Sequence, residues 1–293
     1  MTIIPILGGL ADIADRYDAL LIDLWGVIHG GVEPYPGVIP CLETLRAAGK
    51  PVALLSNAPR RSASAGRRLG QMGIARDLYR LLLTSGDSAH DALASRSDPA
   101  HAALGRNYLY IGPDWDRDLV RDLDYVATQR PEEADFLICV GFIDERDPLA
   151  RYDPILAPAA ARAAPMLCVN PDLVVHRQGG ETSPCAGLIA RHYREQHGGR
   201  VIYHGKPDPA IFRRAAADLG AGDRDRVLVV GDSLTTDIKG ANAAGFESVF
   251  VTRGIFAAEL GIEPGAEPDP QALAELCARH GEQPTYALAT LRW

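Results

Sequence analysis

Residues 226–238 read RVLVVGDSLTTDI, and this stretch decides the fold. The run 226–230 predicts a buried strand, the turn Gly231-Asp232-Ser233 ends it, and 236–244 predicts a helix. A strand followed at once by a helix is the repeating unit of a parallel sheet covered by helices. The polar turn lies where such sheets bind ligands, at the carboxyl ends of the strands.

The same alternation recurs on both sides of this stretch. Further strands are predicted at 17–24, 51–55, 81–84, 108–111, 136–140, 166–169, 200–203 and 248–251. Further helices are predicted at 36–49, 60–72, 87–94, 115–123 and 209–219. The pattern predicts an α/β fold, with a Rossmann-like, doubly wound parallel-sheet core that is interrupted by a smaller α/β insert.

Length and composition restrict the class of protein. The chain has 293 residues, with 38 acidic and 30 basic side chains and a formal net charge of −8. This balance argues against nucleic-acid wrapping and against binding to an anionic membrane, and the apolar start is too short to span a bilayer. Five scattered cysteines without a CxxC pair argue against disulfides and against a zinc site. We therefore expect a cytoplasmic protein.

Further polar clusters follow other predicted strands. Asp23-Leu24-Trp25-Gly26-Val27 comes after the strand-like run 19–22. Ser56-Asn57 precedes a helix start that can offer free backbone N–H groups to an anion. Gly205-Lys206-Pro207 lies just ahead of a helix that Asp208 can cap. We expect these clusters to meet at one edge of the sheet.

The clusters together supply carboxylates, a hydroxyl and an ammonium. Carboxylates on adjacent strand ends repel each other unless a hard divalent cation lies between them, and Mg²⁺ suits oxygen ligands. With that charge neutralised, Asp23 can attack a phosphoryl group while Ser56 and Lys206 hold its oxygens. The sequence therefore points to phosphoryl chemistry.

The motifs together resemble one family. They read DLWGV at 23–27, LLSNAPRR at 54–61, VNPD at 169–172, GKPDPAIF at 205–212 and VGDSLTTDI at 230–238. This set resembles the haloacid dehalogenase-like (HAD) superfamily of aspartate-nucleophile phosphohydrolases, and most closely its class IIA, the NagD and 4-nitrophenylphosphatase-like branch. The resemblance covers nearly the whole chain. It implies a discontinuous catalytic core of 1–87 and 199–293, and a cap domain of 88–198.

The resemblance also assigns residue roles. It implies that Asp23 is the nucleophile and, with the backbone oxygen of Trp25 and with Asp232, a Mg²⁺ ligand. Asp237 would orient a metal-bound water or Lys206. The residues expected to bind phosphate or substrate are Ser56, Asn57, Arg60, Lys206, Asn170 and Asp172. Arg60 is included because it starts a helix beside Ser56.

Trp25 departs from the family pattern. Most phosphatases of the superfamily have Asp two residues after the nucleophile, where it protonates the leaving oxygen, and an indole cannot do so. Three accounts stay open: a substrate with a good leaving group, such as an acyl phosphate or phosphoanhydride; another proton donor, with His29 nearest and Asp172 and His176 in the cap; or binding without turnover.

We therefore expect a Mg²⁺-dependent phosphatase that acts on a small phosphorylated metabolite through an aspartyl phosphate. The alternatives are a non-catalytic protein that binds a phosphorylated metabolite, and a HAD hydrolase of atypical leaving groups. No nucleic-acid or membrane partner is expected. The resemblance also implies that two chains can pair through the cap.

Overall fold

The structure is a computed structural model that describes residues 3–178, 181–222, 226–263 and 265–293. Its strands are β1 (Ile6–Leu7), β2 (Ala19–Asp23), β3 (Val52–Ser56), β4 (Leu81–Thr84), β5 (Asn107–Ile111), β6 (Val126–Ala127), β7 (Phe136–Cys139), β8 (Met166–Cys168), β9 (Val174–His176), β10 (Thr182–Pro184), β11 (Val201–Tyr203), β12 (Val227–Gly231), β13 (Glu247–Val251) and β14 (Tyr286–Leu288). Its α-helices are α1 (Val38–Ala47), α2 (Ser62–Gln71), α3 (Ser85–Ser95), α4 (Pro99–Ala102), α5 (Asp153–Ala161), α6 (Ala186–His197), α7 (Pro209–Asp218), α8 (Lys239–Ala244) and α9 (Pro270–His280).

The larger sheet is parallel and covered on both faces. Its order among the described strands is β1-β14-β13-β12-β2-β3-β4. Leu20 and Ile22 of β2 join the hydrophobic cluster on one face, whereas Ala19 and Leu21 join the cluster on the other. Burial on both faces explains why these strands read as unbroken apolar runs. The expected doubly wound α/β core is confirmed.

The smaller sheet has its own hydrophobic clusters. Its described strands are also parallel, in the order β11-β8-β7-β5-β6. Leu137 and Cys139 of β7 face one cluster, and Phe136 and Ile138 face another. We propose that this sheet and its helices form the cap domain, which accords with the predicted insert.

One predicted strand lies in a different sheet from the one expected. We assigned 200–203 to the core, but Val201–Tyr203 pairs with Met166–Cys168 in the smaller sheet. The smaller sheet therefore runs past the predicted boundary at 198. Parallel pairing joins residues far apart in sequence, so an isolated strand pattern does not reveal which sheet it completes.

Two predicted helices have a different local geometry. The segment predicted as a helix at 115–123 forms 3₁₀ turns over Asp114–Val120. The helix predicted at 236–244 begins as a π-helical turn, Leu234–Ile238, in which the N–H of Ile238 donates to the oxygen of Ser233 over 3.0 Å. α8 follows it. Single π turns of this kind are frequent at functional sites.

In the part of the chain that the structure describes, no helix is both long and apolar enough to cross a membrane.

Candidate active site

The predicted polar clusters meet at the carboxyl end of the larger sheet. Asp23 is the last residue of β2, Ser56 is the last residue of β3, and Asp232 directly follows β12. β12 and β3 both pair with β2, so the three side chains leave neighbouring strand ends. Lys206 reaches the same place from the loop after β11. All four side chains are buried, Lys206 to the extent that only 3% of its surface is exposed.

Lys206 connects two of the carboxylates. Its Nζ donates to Oδ1 of Asp23 over 2.5 Å and to Oδ1 of Asp237 over 2.7 Å. Burial by itself would lower the pKa of Lys206, but Asp23, Asp237 and then Asp172 raise that pKa above its usual range. Lys206 therefore stays charged. Asp237 lies on the π-helical turn, and its Oδ2 accepts the N–H of Ser233 over 3.2 Å.

The carboxylates outnumber the cations in this cluster. One oxygen from each of Asp23, Asp232 and Asp237 lies within 4.8 Å of the others, whereas the single ammonium of Lys206 contacts two of them, Asp23 and Asp237. Burial, followed by repulsion from Asp237, raises the pKa of Asp232 to about 8. Burial likewise raises the pKa of Asp23, which Lys206 partly offsets. A divalent cation with oxygen ligands would neutralise this excess of carboxylates over cations.

Two glycines make room for Asp232. A Cβ added to Gly26, whose φ is +87°, would lie 1.9 Å from Oδ2 of Asp232. A Cβ added to Gly254 would lie at the same distance from that oxygen. The N–H of Ile255 donates to Oδ2 of Asp232 over 3.1 Å. The absence of side chains at Gly26 and Gly254 therefore leaves the space that the Asp232 carboxylate occupies, and the N–H of Ile255 holds it there.

Asn57 holds the lysine loop in place. Its Oδ1 accepts the N–H of Lys206 over 2.7 Å, and its Nδ2 donates to the backbone oxygen of Lys206 over 3.1 Å. Nδ2 also donates to Oδ1 of Asp172 in the cap over 2.9 Å. The side chain of Asn57 therefore positions Lys206 and Asp172, and direct phosphate contact by Asn57 stays a prediction. Beside it, Oγ of Ser56 accepts the N–H of Ala58 over 3.1 Å.

The remaining predicted substrate residues line the cleft between the core and the smaller sheet. Asn170, Asp172 and Arg60 all lie on its wall. Oδ1 of Asn170 accepts the N–H of Asp172 over 3.2 Å, which fixes the turn that carries both. Nε of Arg60 lies 3.6 Å from Oδ1 of Asp116. The structure thus brings every predicted site residue to one cleft, of about 1790 Å³.

Trp25 connects the end of β2 to strand β9. Its indole Nε1 donates to the backbone oxygen of His176 in β9 over 2.6 Å. Its ring packs edge-on against His29, with centroids 5.5 Å apart. Trp25 therefore forms a packing and hydrogen-bonding contact where the family pattern has an acid.

His29 is poorly suited to the role of proton donor. It is buried, and its Nδ1 accepts the N–H of Gly31 over 3.1 Å. Burial, with a smaller contribution from Arg68, lowers the pKa of His29 to about 4. The imidazole is therefore neutral near pH 7, so His29 is not a ready source of the proton.

Sequence reasoning missed the cap hairpin β9–β10. Gln178 follows β9, and its N–H donates to the oxygen of Gly30 over 2.9 Å. Its Oε1 accepts the N–H groups of Val32 and Glu33 over 3.2 and 3.1 Å. A hairpin could have been suspected from the sequence, because Gly179-Gly180, which lie outside the described residues, separate two short strand-like runs.

Comparisons with known proteins agree with this arrangement. The family model described as haloacid dehalogenase-like hydrolase matches residues 20–126, and the one described as HAD-hydrolase-like matches 203–277. D-glycerol 3-phosphate phosphatase of Mycobacterium tuberculosis is 29% identical over 246 residues, which are 84% of this chain and 66% of that protein. The ribonucleotide monophosphatase NagD of Escherichia coli is 28% identical over 80% of this chain and 88% of its own length.

Solved structures also match. A haloacid dehalogenase-like hydrolase from Brucella suis is 29% identical, with a TM-score of 0.79 over 97% of this chain and 98% of that one. A glycerol phosphate phosphatase from Mycobacterium tuberculosis, solved in complex with calcium, is 28% identical, with a TM-score of 0.61 over 93% of this chain and 77% of that one. It was also solved in complex with magnesium.

The doubly wound sheet, the clustered aspartates and the buried lysine are the features expected of a haloacid dehalogenase-like hydrolase. The chain belongs to the haloacid dehalogenase-like hydrolases, and its similarity to NagD agrees with class IIA of that family. The curated relatives named above are phosphatases, so the chain is a phosphoric ester hydrolase of this family.

Proposed function

We propose that the chain is a Mg²⁺-dependent phosphatase of a small phosphorylated metabolite, with Asp23 as its nucleophile. The observation that carries this proposal is the ammonium of Lys206 between the carboxylates of Asp23 and Asp237, with Asp232 beside them. A buried ammonium in this position can hold the nucleophile in place and offset charge on phosphoryl oxygens. Asp23, Asp232 and the backbone oxygen of Trp25 would be oxygen ligands of the cation, and Asp237 would orient a metal-bound water or Lys206.

The chain's own residues perform two displacements. In the first, an oxygen of Asp23 bonds to phosphorus as the bond from phosphorus to the leaving oxygen breaks, and Ser56 and Lys206 stabilise the phosphoryl oxygens. In the second, water attacks the same phosphorus, releases phosphate and restores the carboxylate of Asp23. When bound, Mg²⁺ supplies positive charge at the phosphoryl oxygens.

Asp172 is our candidate for the proton donor. It lies in the cap on the cleft wall, and its Oδ1 accepts a hydrogen bond from Asn57. Burial raises the pKa of Asp172, an effect that Lys206 partly offsets. We propose that Asp172 gives its proton to the leaving oxygen and later takes one from the attacking water, which balances the two steps.

The organic part of the substrate would lie in the cleft. A cleft of about 1790 Å³ leaves room beyond a phosphate group. Its wall mixes guanidinium and carboxylate groups, among them those of Arg60, Arg177, Arg253 and Glu145, and such groups can hydrogen-bond hydroxyls. Because two relatives are named for glycerol 3-phosphate and for sugar phosphates, we propose phosphorylated polyols and sugars as the first substrates to test.

A phosphate-release assay tests this function. The purified chain is incubated with and without Mg²⁺ against sugar phosphates, glycerol phosphates, aryl phosphates, acyl phosphates and phosphoanhydrides. We expect Mg²⁺-dependent release that Asp23→Asn abolishes and that Asp91→Asn, a change in the ion pair with Arg214 outside the cleft, leaves intact. Release limited to acyl phosphates and phosphoanhydrides would favour the atypical-leaving-group alternative. Tight binding without any release would favour the non-catalytic alternative.

The cellular compartment and the oligomeric state of the chain are also proposals. All five cysteines are free and buried, which suits a reducing compartment such as the cytoplasm. Pairing of two chains through the cap stays a prediction, which sedimentation velocity would test.

A further inference from the structure

A second cluster of metal-ligating side chains lies outside the cleft. Nε2 of His192 lies 2.7 Å from Oδ1 of Asp153, and Nε2 of His197 lies 2.8 Å from the same oxygen. The ligand atoms of the three residues all lie within 4.8 Å of one another. None of the three lines the cleft.

Two helix ends bring these residues together. Asp153 is the first residue of α5, and His197 is the last residue of α6, followed by Gly198 in a left-handed conformation. His192 lies earlier on α6, and the two imidazole rings stand edge to face with centroids 5.4 Å apart. In this arrangement the rings are not stacked, and Nε2 of each lies close to Oδ1 of Asp153.

The helix ends also suit a cation between them. The C-terminal end of a helix carries partial negative charge and favours a cation, whereas the N-terminal end favours a carboxylate. Asp153 lies at the N-terminal end of α5 and His197 at the C-terminal end of α6, so each stands at the helix end that suits its role. Both imidazoles are partly exposed, which leaves the cluster open to ions in solution.

The chemistry of the three ligand atoms determines which metal ions the cluster would prefer. Two imidazole nitrogens and one carboxylate oxygen suit borderline ions such as Zn²⁺, whereas Mg²⁺ and Ca²⁺ prefer oxygen alone. We propose that His192, His197 and Asp153 bind Zn²⁺ and thereby join α5 to α6 in the cap. The scattered cysteines argued against a zinc site, but none of the ligands proposed here is a cysteine.

The present distances are close to those that zinc needs. Tetrahedral Zn²⁺ at its usual bond lengths separates its ligand atoms by about 3.3 Å, so the carboxylate would have to move by roughly half an ångström. Asp153 is exposed enough to make that shift. Three protein ligands leave one tetrahedral position for water.

The experiment is a zinc titration in excess Mg²⁺, with the tag-free chain and a chromophoric chelator as competitor. We expect one tight equivalent of Zn²⁺ in the wild type. His192→Gln and His197→Gln keep a donor for Asp153 but remove the metal-binding nitrogen. Loss of a residue that only hydrogen-bonds to a metal ligand weakens metal binding by about 10- to 100-fold. Loss of a ligand itself should weaken zinc binding by at least that factor.

Two further variants locate the zinc. His280→Gln changes another histidine that ends a helix near a single carboxylate, Glu259, and should leave the affinity unchanged. Asp232→Asn alters the catalytic carboxylates and should also leave the tight equivalent intact. Zinc that survives His192→Gln and His197→Gln, or that disappears in Asp232→Asn, would overturn the proposal, as would the absence of a tight equivalent.

The colour of bound Co²⁺ supplies a readout that does not depend on affinity. Co²⁺ in a tetrahedral site with imidazole ligands absorbs visible light far more strongly than Co²⁺ among octahedral oxygen ligands. We expect an intense band in the wild type and in Asp232→Asn, and its loss in His197→Gln. A weak, octahedral spectrum in the wild type would contradict the site.

Discussion

The contact between Trp25 and the cap makes a measurable prediction. Trp25→Phe keeps an aromatic ring but removes the indole N–H that donates to the oxygen of His176. The net value of such a hydrogen bond is about 0.5–1.5 kcal/mol. Because 1.4 kcal/mol corresponds to a factor of ten, the equilibrium between the docked and undocked hairpin should shift by about 2- to 12-fold toward the undocked form. If water replaces the indole as the donor to the backbone oxygen of His176, the shift in the equilibrium should lie at the lower end of this range.

The amide of Gln178 reports this equilibrium directly. Its N–H donates to the oxygen of Gly30 across the same interface, so it exchanges with solvent hydrogen only when the hairpin undocks. Hydrogen exchange at Gln178 should therefore accelerate by about 2- to 12-fold in Trp25→Phe. Trp293→Phe, a change at an exposed tryptophan, should have no effect. Unchanged exchange at Gln178 in Trp25→Phe would refute the reasoning.

Three further predictions follow from the site and its surroundings. Asp172→Asn should slow hydrolysis of glycerol and sugar phosphates by roughly 10²–10⁴-fold but aryl phosphates far less, and equal loss on both in steady-state assays would exclude Asp172 as the acid. Mg²⁺ should raise the melting temperature of the wild type but not of Asp232→Asn, and equal shifts in calorimetry would place the ion elsewhere. Burial, with a smaller contribution from His101, lowers the pKa of His204 to about 3. Between pH 6.5 and pH 3 the unfolded chain protonates His204 and the folded chain does not, so the free energy of unfolding decreases as the pH falls through this range. His204→Gln should flatten that part of the denaturation profile, whereas a profile as steep as that of the wild type would exclude His204 as a source.

The core and its site could be predicted because each strand carries its own signal. β2, β3 and β12 are buried on both faces, so each reads as an apolar run, and a polar turn marks where each run ends. Parallel pairing then forces Asp23, Ser56 and Asp232 to one edge. The local pattern thus places each polar turn at a strand end, and the pairing of β12 and β3 with β2 brings the three turns together.

The cap and its contacts depend on pairings that the local pattern does not carry. β9 is only partly buried, so it has no strong apolar run, and its contact with the core passes through backbone groups such as the oxygen of His176. β11 has the pattern of a core strand but completes the smaller sheet. The zinc ligands come from two helices that the sequence analysis did not predict, α5 and α6.

The most direct test of the central claim is to trap the phosphoryl group on the enzyme. The chain is mixed with Mg²⁺ and its best substrate, quenched in acid within one turnover, digested and analysed by mass spectrometry. We predict the added mass of one phosphoryl group on the peptide that contains Asp23, and its absence both without Mg²⁺ and in Asp23→Asn. Phosphate release that continues at the wild-type rate in Asp23→Asn, or a phosphoryl group on another residue, would contradict the account.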